Sequence, residues 1–315
     1  MPRTRFQLFP PALQDAGPTR QFIWLLLLCV AGVSIASFLS VAISSLVFGI
    51  SLQQLPTLAA NPTQPNALAV LQISQLLSAI GIFLFPPLML MRLRGIPVFQ
   101  GLAMQRIPSA YLFLLSMLLM WVQLPIINQL AQFNQQLIFP EALASIGDWM
   151  RAQEDQAAKL TELFLTMPRL GDFFLSLLIM AFIPALGEEL LFRSTLQPLI
   201  AKWLGKPHLA IWITAFVFSF IHFQFFGFLP RFLIGAFLGY LFYWSGSIWY
   251  SVAAHFANNG LAVLGYYLQQ HQLSKVTTDD VGAGPDALVH VVIALLLLPT
   301  GIWLFRKALN KPIQS

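Results

Sequence analysis

Residues 179–200 read IMAFIPALGEELLFRSTLQPLI, an apolar segment with two adjacent carboxylates, Glu188 and Glu189, and a guanidinium, Arg193. Each of these groups costs about 2.5–3.5 kcal/mol at the centre of a bilayer on insertion scales. On a helix, Glu189 and Arg193 are four residues apart on one face and can form an ion pair. Glu188 is rotated from Glu189 by about 100° and can face elsewhere. The segment therefore predicts a membrane helix with one paired and one free carboxylate.

The composition of the whole chain agrees with a membrane protein. Of 315 residues, 57% are hydrophobic and 9% are charged, whereas soluble domains carry about 25% charged residues. The single cysteine, Cys29, lies in an apolar segment, so the sequence contains neither a disulfide framework nor a thiolate cluster for a metal. We predict an all-α fold, a polytopic transmembrane helical bundle.

About eight apolar segments are long enough to be spans, which need about 20 residues each. They lie at about 21–49, 67–91, 109–131, 170–203, 208–227, 230–247, 250–268 and 287–305. The first segment is much longer than the apolar region of a signal peptide, about 7–15 residues, so we interpret it as a transmembrane helix.

The basic residues predict the orientation of the spans. With the N-terminus in the cytoplasm, twelve Lys and Arg residues, Arg193 among them, fall on the inner side and five fall on the outer side, as the positive-inside rule requires. We therefore expect both termini to be cytoplasmic, and we interpret the net charge of +5 as a sign of topology and not of nucleic-acid binding. A bacterial inner membrane fits this orientation, and an endoplasmic-reticulum membrane fits it equally.

The chain divides into four segments around one polar core. Residues 1–20 form a cytoplasmic N-terminal segment, and 21–165 contain the first spans and an outer amphipathic helix within 132–169. Residues 166–268 form the core with the polar motifs. Residues 269–315 contain an outer flexible loop (269–286), the last span and a cytoplasmic tail.

A second polar island surrounds His222 in the apolar sequence FVFSFIHFQFF, residues 216–226. If the fourth and fifth spans form a hairpin around the turn at 205–207, Glu188 and His222 both lie about 25 Å from that turn, at equal depth. The two side chains can then face each other. The structural alternatives are a histidine that bonds a neighbouring helix and an ion-pair cluster that only fixes helices together.

The third island contains His255, Asn258 and Asn259 in residues 251–268. His255 and Asn259 are four residues apart on one face, and both can donate hydrogen bonds to an anionic oxygen. Asn258 is about 100° away from that face, so we expect it to pack or bond elsewhere. The other histidines, at 208, 271 and 290, lie at span ends or in loops, and we assign them interface or packing roles.

With these residues the chain resembles the CAAX-protease and bacteriocin-processing (CPBP or ABI) family of intramembrane proteases, which includes the Ras-converting type. The family motifs are E-E-x-x-x-R, F-x-x-x-H and H-x-x-x-N/D. They correspond here to Glu188-Glu189 through Arg193, to Phe218 through His222, and to His255 through Asn259. All three are intact, in order and on consecutive spans. The resemblance covers about residues 170–268.

The resemblance implies hydrolysis of a peptide bond within the membrane. Glu188 and His222 would activate a water, His255 and Asn259 would form an oxyanion hole, and Glu189 and Arg193 would support the site. Family members are also described as metalloproteases, which would make Glu188, His222 and His255 zinc ligands. We favour the mechanism without a metal, because the ligands lie on three separate helices and the sequence has no H-E-x-x-H motif.

The expected partners are membrane lipid and a protein or peptide substrate, which can be lipidated. We expect the site to lie in the inner half of the bilayer and to open toward the cytoplasm or sideways to lipid. Two other functions remain open at this point. Intramembrane Glu, His and Arg also form the proton relays of transporters, and a non-catalytic immunity or scaffold protein can retain the fold.

Overall fold

A computed structural model of the chain describes residues 12–51, 53, 54, 58, 64, 66–274 and 280–310. In this part of the chain the regular structure is helical, and it contains no strand. We number the helices of more than ten residues α1 (Pro18–Phe48), α2 (Ala67–Leu93), α3 (Ala110–Gln135), α4 (Ala144–Phe164), α5 (Leu170–Leu204), α6 (Pro207–Phe220), α7 (Phe225–Ser245), α8 (Ile248–Gln270) and α9 (Ala287–Leu309). Short helical turns at Val98–Gly101 and Glu141–Leu143 precede α3 and α4.

Each of the eight predicted spans corresponds to one of these helices. Among the described helices, six are long and apolar enough to cross a membrane: α1, α2, α3, α5, α7 and α9. Helix α6 is apolar but has only 14 residues. Helix α8 has 23 residues and carries the polar island at 255–259. The all-α, polytopic architecture is confirmed, and eight is an approximate number of spans.

The predicted amphipathic helix is α4, which lies at the end of the bundle opposite the α5–α6 and α7–α8 turns. It packs on the first turn of α7, where the rings of Trp149 and Phe225 are 5.4 Å apart and the Arg151 guanidinium lies 4.1 Å from the ring centre of Phe226. The expected loop at 269–286 begins after Gln270 with turns. Its residues 275–279, like 1–11 of the N-terminal segment, lie outside the described residues.

Helix α5 is irregular on both sides of its two glutamates. Two π-helical segments, Leu177–Phe182 and Phe192–Leu196, flank the α-helical turns at Ile183–Leu191. Pro184, the second residue of that central part, has no N–H to give to the Met180 carbonyl. Single π-helical turns inside helices are often found at functional sites. The irregularity frees backbone groups next to the polar island.

Helix α5 is joined to α7 by two hydrogen bonds to glycine carbonyls. Arg193 Nη2 donates to the Gly235 carbonyl at 3.0 Å, and one turn later Gln197 Nε2 donates to the Gly239 carbonyl at 3.1 Å. A Cβ atom at position 239 would lie only 2.9 Å from the Gln197 side chain. Small residues allow membrane helices to approach closely, and here they bring backbone acceptors within reach of α5.

We predict that Gly187→Ala destabilises the protein by about 1–3 kcal/mol, the usual cost of overpacking. The new methyl would lie 2.8 Å from the Phe83 Cβ on α2, and neither atom can move without its backbone. Gly171→Ala on the same helix is the matched control, because a Cβ there meets nothing within 4 Å. Thermal unfolding in detergent measures both variants. Equal melting temperatures would contradict the close contact of α2 with α5.

Candidate active site

The buried carboxylate of Glu189 connects two basic side chains. Its Oε1 lies 3.0 Å from Arg193 Nη1 and 2.9 Å from His255 Nδ1. The side chains of Glu189 and Arg193 are completely inaccessible to solvent, and that of His255 is 6% exposed. The ion pair expected from the i,i+4 spacing is therefore present, and the same carboxylate also joins α5 to α8.

The guanidinium of Arg193 is held on three sides. Besides Glu189 it contacts the Gly235 carbonyl, and its central carbon lies 4.4 Å from the ring centre of Phe218 on α6. This places Arg193 inside the bundle and not at an inner membrane surface, so its assignment to the inner side was wrong. It does not contribute to the orientation, which depends on the other basic residues.

The second carboxylate, Glu188, is left free for chemistry. Its Oε2 is 3.9 Å from His255 Nε2, beyond hydrogen-bond distance, and has no hydrogen-bond partner among the described residues. The residue is only 7% exposed. Because a buried polar atom without a partner is costly, this oxygen marks a position where a water or a substrate group can bind.

His222 lies in the turn just after α6, with one ring nitrogen fixed by the backbone. Its Nδ1 is 2.7 Å from the Phe218 carbonyl oxygen. A carbonyl only accepts hydrogen bonds, so Nδ1 must carry the proton, and Nε2 of the neutral ring keeps its lone pair. His222 can therefore accept a hydrogen bond from a water, and it lines the same cavity as Glu188.

Asn259 uses the carbonyl that Pro184 leaves free. Its Nδ2 donates to the Met180 oxygen at 3.4 Å, and its Oδ1 accepts a hydrogen bond from Asn258 Nδ2 at 3.1 Å. The second hydrogen on Nδ2 remains available to a ligand. Asn258 was expected to pack elsewhere, but it lines the cavity beside Asn259, because the side-chain amide is long enough to reach back to its neighbour.

One cavity of about 460 Å³ contains all four predicted catalytic residues. Glu188, His222, His255 and Asn259 line it together. Their convergence from α5, α6 and α8 agrees with the equal depth expected for Glu188 and His222. Histidines 208, 271 and 290 are not among the lining residues.

The walls of the cavity extend toward the α4 end of the bundle. Thr161 and Leu165 line it from the end of α4, and Gly227 lines it from the first turn of α7. With cytoplasmic termini this is the outer end, so the expected opening toward the cytoplasm does not fit this orientation. Glu188 and His222 lie about 25 Å from the α5–α6 turn, and this distance is most of the thickness of a hydrocarbon core, which is about 30 Å. With cytoplasmic termini, His222 would therefore lie near the outer surface.

Arg231 is a cavity residue that the sequence analysis did not single out. It lies in the first turns of α7, where Nη2 donates to Gln224 Oε1 at 2.7 Å and Nη1 donates to the Gln224 carbonyl at 3.3 Å. The available signal was an arginine within the apolar sequence at 228–234. Arg231 is one of the five basic residues that the positive-inside pattern assigns to the outer side.

Carboxylate and imidazole groups such as those of Glu188, His222 and His255 are zinc ligands in proteins. Whether these three can bind one zinc ion depends on their arrangement. Zinc lies about 2.0–2.2 Å from its nitrogen and oxygen ligands. The described residues contain no group of three His, Cys, Asp or Glu side chains placed to hold a metal ion. The ligand types fit zinc, and their arrangement in the described residues does not.

The comparison with protein families covers this polar core. Residues 170–261 match the family model described as type II CAAX prenyl endopeptidase Rce1-like. The chain is similar to that family over this segment. The match contains all three motifs and confirms the resemblance stated from the sequence. No curated protein and no solved structure matches the chain. The Rce1-like segment supports a CAAX-type intramembrane endopeptidase with a membrane-associated protein or peptide as substrate.

We predict that Glu189→Gln destabilises the protein by about 3–5 kcal/mol, because it leaves the buried Arg193 without a counter-ion. Glu188→Gln is the matched control on the adjacent residue. It removes no ion pair within hydrogen-bond distance and should change stability by less than about 1 kcal/mol. Denaturant or thermal unfolding in detergent compares the two variants. Equal losses of stability would show that Glu189 does not hold the helices together.

Proposed function

We propose that the protein is an intramembrane endopeptidase that hydrolyses a peptide bond with a water activated by Glu188 and His222, without a metal. The observation that carries this proposal is the free, buried carboxylate oxygen of Glu188 in the cavity that His222 also lines. A general base must be within reach of the proton that it removes, directly or through one water. The Rce1-like segment supports the same reaction class.

The attacking water binds between the two groups in this mechanism. His222 Nε2 accepts one of its hydrogen bonds and orients it, and Glu188 takes its proton as the oxygen attacks the peptide carbonyl carbon. The carbonyl oxygen then becomes an oxyanion. When the C–N bond breaks, Glu188 returns the proton to the leaving amine, so the carboxylate is free for the next turnover.

His255 and Asn259 would stabilise the oxyanion. Glu189 fixes the Nδ1–H of His255, which leaves Nε2 to face Glu188 and the cavity. The ring donates from Nε2 when it carries a proton on both nitrogens. Asn259 adds its second Nδ2 hydrogen. Donors that are already oriented need no rearrangement during the reaction, and one such donor is worth about 2.7–4 kcal/mol.

We predict that Glu188→Gln and His222→Ala abolish cleavage, and that Asn259→Ala lowers kcat about 10²–10³-fold through loss of one oxyanion donor. A farnesylated peptide ending in a CAAX sequence is a suitable probe, because the matched family is one of CAAX prenyl endopeptidases. Mass spectrometry of the products measures the rate and the bond that is cut. Melting temperatures show that each variant is folded.

His290→Ala is the matched control, because His290 is an exposed histidine on α9 and does not line the cavity. It should cleave at the wild-type rate. Metal analysis of active protein, with chelator treatment in parallel, tests the mechanism. Stoichiometric zinc together with loss of activity in chelator would show that a metal site, and not the Glu188–His222 pair, activates the water.

We also propose that the cavity faces the non-cytoplasmic side. Among the described residues, the end of the bundle that lies opposite α4 carries eight Lys and Arg residues and one acidic residue, Asp15. The basic residues are Arg20, Arg92, Arg94, Arg106, Lys202, Lys206, Arg306 and Lys307. The positive-inside rule places this end in the cytoplasm, and the α4 end on the opposite side.

We predict that, in a Cys29→Ala background, Thr161→Cys reacts with a membrane-impermeant maleimide added outside intact bacterial spheroplasts. Lys206→Cys is the control at the opposite end, and it should react only after the membrane is permeabilised. Gel-shift labelling measures both variants. The reverse pattern would turn the protein around in the membrane and place the cavity mouth in the cytoplasm.

A further inference from the structure

Arg231 puts a positive charge into the wall of the catalytic cavity, and no carboxylate of the described residues forms a direct ion pair with it there. Among the described residues, no carboxylate oxygen lies within 4 Å of its guanidinium. The carboxylates of Glu154 and Glu188 act on its charge only from beyond that distance, and the Oε2 of Glu154 accepts the Phe226 N–H at 3.1 Å. The two hydrogen bonds of the guanidinium both go to neutral oxygens of Gln224.

Arg193, the other arginine of the polar core, has a structural role and provides a comparison for Arg231. Arg193 is completely buried and has Glu189 as its counter-ion. Arg231 is half-buried beside an accessible cavity and has a neutral partner. A guanidinium has five donors in a planar fork that suits a carboxylate. Two of these donors are occupied, so the group can still bind an anion.

The turn around Arg231 leaves room for such a ligand. A Cβ atom at Gly227 would lie 3.2 Å from Arg231 Nη2, so the absence of a side chain there keeps the guanidinium uncovered. Gly227 and Arg231 line the same cavity as Glu188 and His222. An anionic group bound to Arg231 would thus belong to the molecule that reaches the catalytic residues.

We propose that Arg231 binds a carboxylate of the peptide substrate and thereby determines which bond is presented to Glu188. This inference rests on the proposed function. Because both residues line one cavity of about 460 Å³, the carboxylate lies only a few residues from the cleaved bond. It is either the C-terminal carboxylate of the substrate or the side chain of an acidic residue. Arg231 is thus a specificity residue that binds the substrate and takes no part in the proton transfers.

The test compares three farnesylated peptides that differ in one charge. The first ends in a free carboxylate, the second is its C-terminal amide, and the third is the amide with a glutamate as its last residue. For the wild type we expect the KM of the carboxylate peptide to be at least about tenfold below that of the amide, the size of a charge-assisted hydrogen-bond pair. A low KM for the third peptide would identify side-chain carboxylates as ligands too.

Variants assign the preference to Arg231. Arg231→Gln should raise the KM of the carboxylate peptide to that of the amide, and Arg231→Lys should keep part of the preference, because it retains the charge but loses the fork. Gln224→Ala should keep the preference for the carboxylate peptide. If the Arg231–Gln224 contact were merely structural, Gln224→Ala would lose this preference as Arg231→Gln does. Lys159→Gln is the matched control, since it removes an exposed positive charge from α4.

Binding of the same peptides to the Glu188→Gln variant separates this inference from the proposed function. Fluorescence anisotropy with labelled peptides measures the Kd values. Tighter binding of the carboxylate peptide, lost in Arg231→Gln, with no cleavage by the wild type, would support the anion site and refute the protease. Cleavage with equal KM values would refute the anion site alone. Equal Kd values, or no binding of either peptide, would also overturn it.

Discussion

The contact on which the polar core depends is the Glu189 carboxylate between Arg193 and His255. In an apolar interior, removal of one member of such a pair leaves a charge without compensation, at a cost of several kcal/mol. Arg193 in turn holds a carbonyl of α7, and His255 belongs to α8. One anion therefore fixes three helices relative to each other, and it does so at the depth where the candidate catalytic groups lie.

The same contact divides the work between the two adjacent glutamates. Because neighbouring residues on a helix point about 100° apart, Glu189 faces the helix interface and Glu188 faces the cavity. The bond from Glu189 to Nδ1 also orients the His255 ring, so that Nε2 is directed toward Glu188. Catalytic groups need such supporting contacts to stay in position. The motif thus encodes both the site and the scaffold that holds it.

The helices and the Glu189–Arg193 pair could be predicted from the sequence because they follow from local properties, apolar length and i,i+4 spacing. The contacts that complete the site could not. The bond from His255 to Glu189 and the entry of Arg231 into the cavity depend on how separate helices pack. In the sequence, only Pro184 indicates the irregular π-helical turns around Glu188. Packing also decided that the cavity extends beneath α4, where the motifs give no information.

The position of the cavity connects topology with substrate. If the basic end of the bundle is cytoplasmic, Thr161 and His222 lie toward the opposite surface, and a substrate must come from that side or from within the membrane. A cytoplasmic C-terminal CAAX sequence would meet the wrong end of the bundle. In this orientation a prenylated substrate would therefore have to enter the cavity from within the membrane or cross the bilayer. A measured orientation would thus select between substrate classes before any substrate is known.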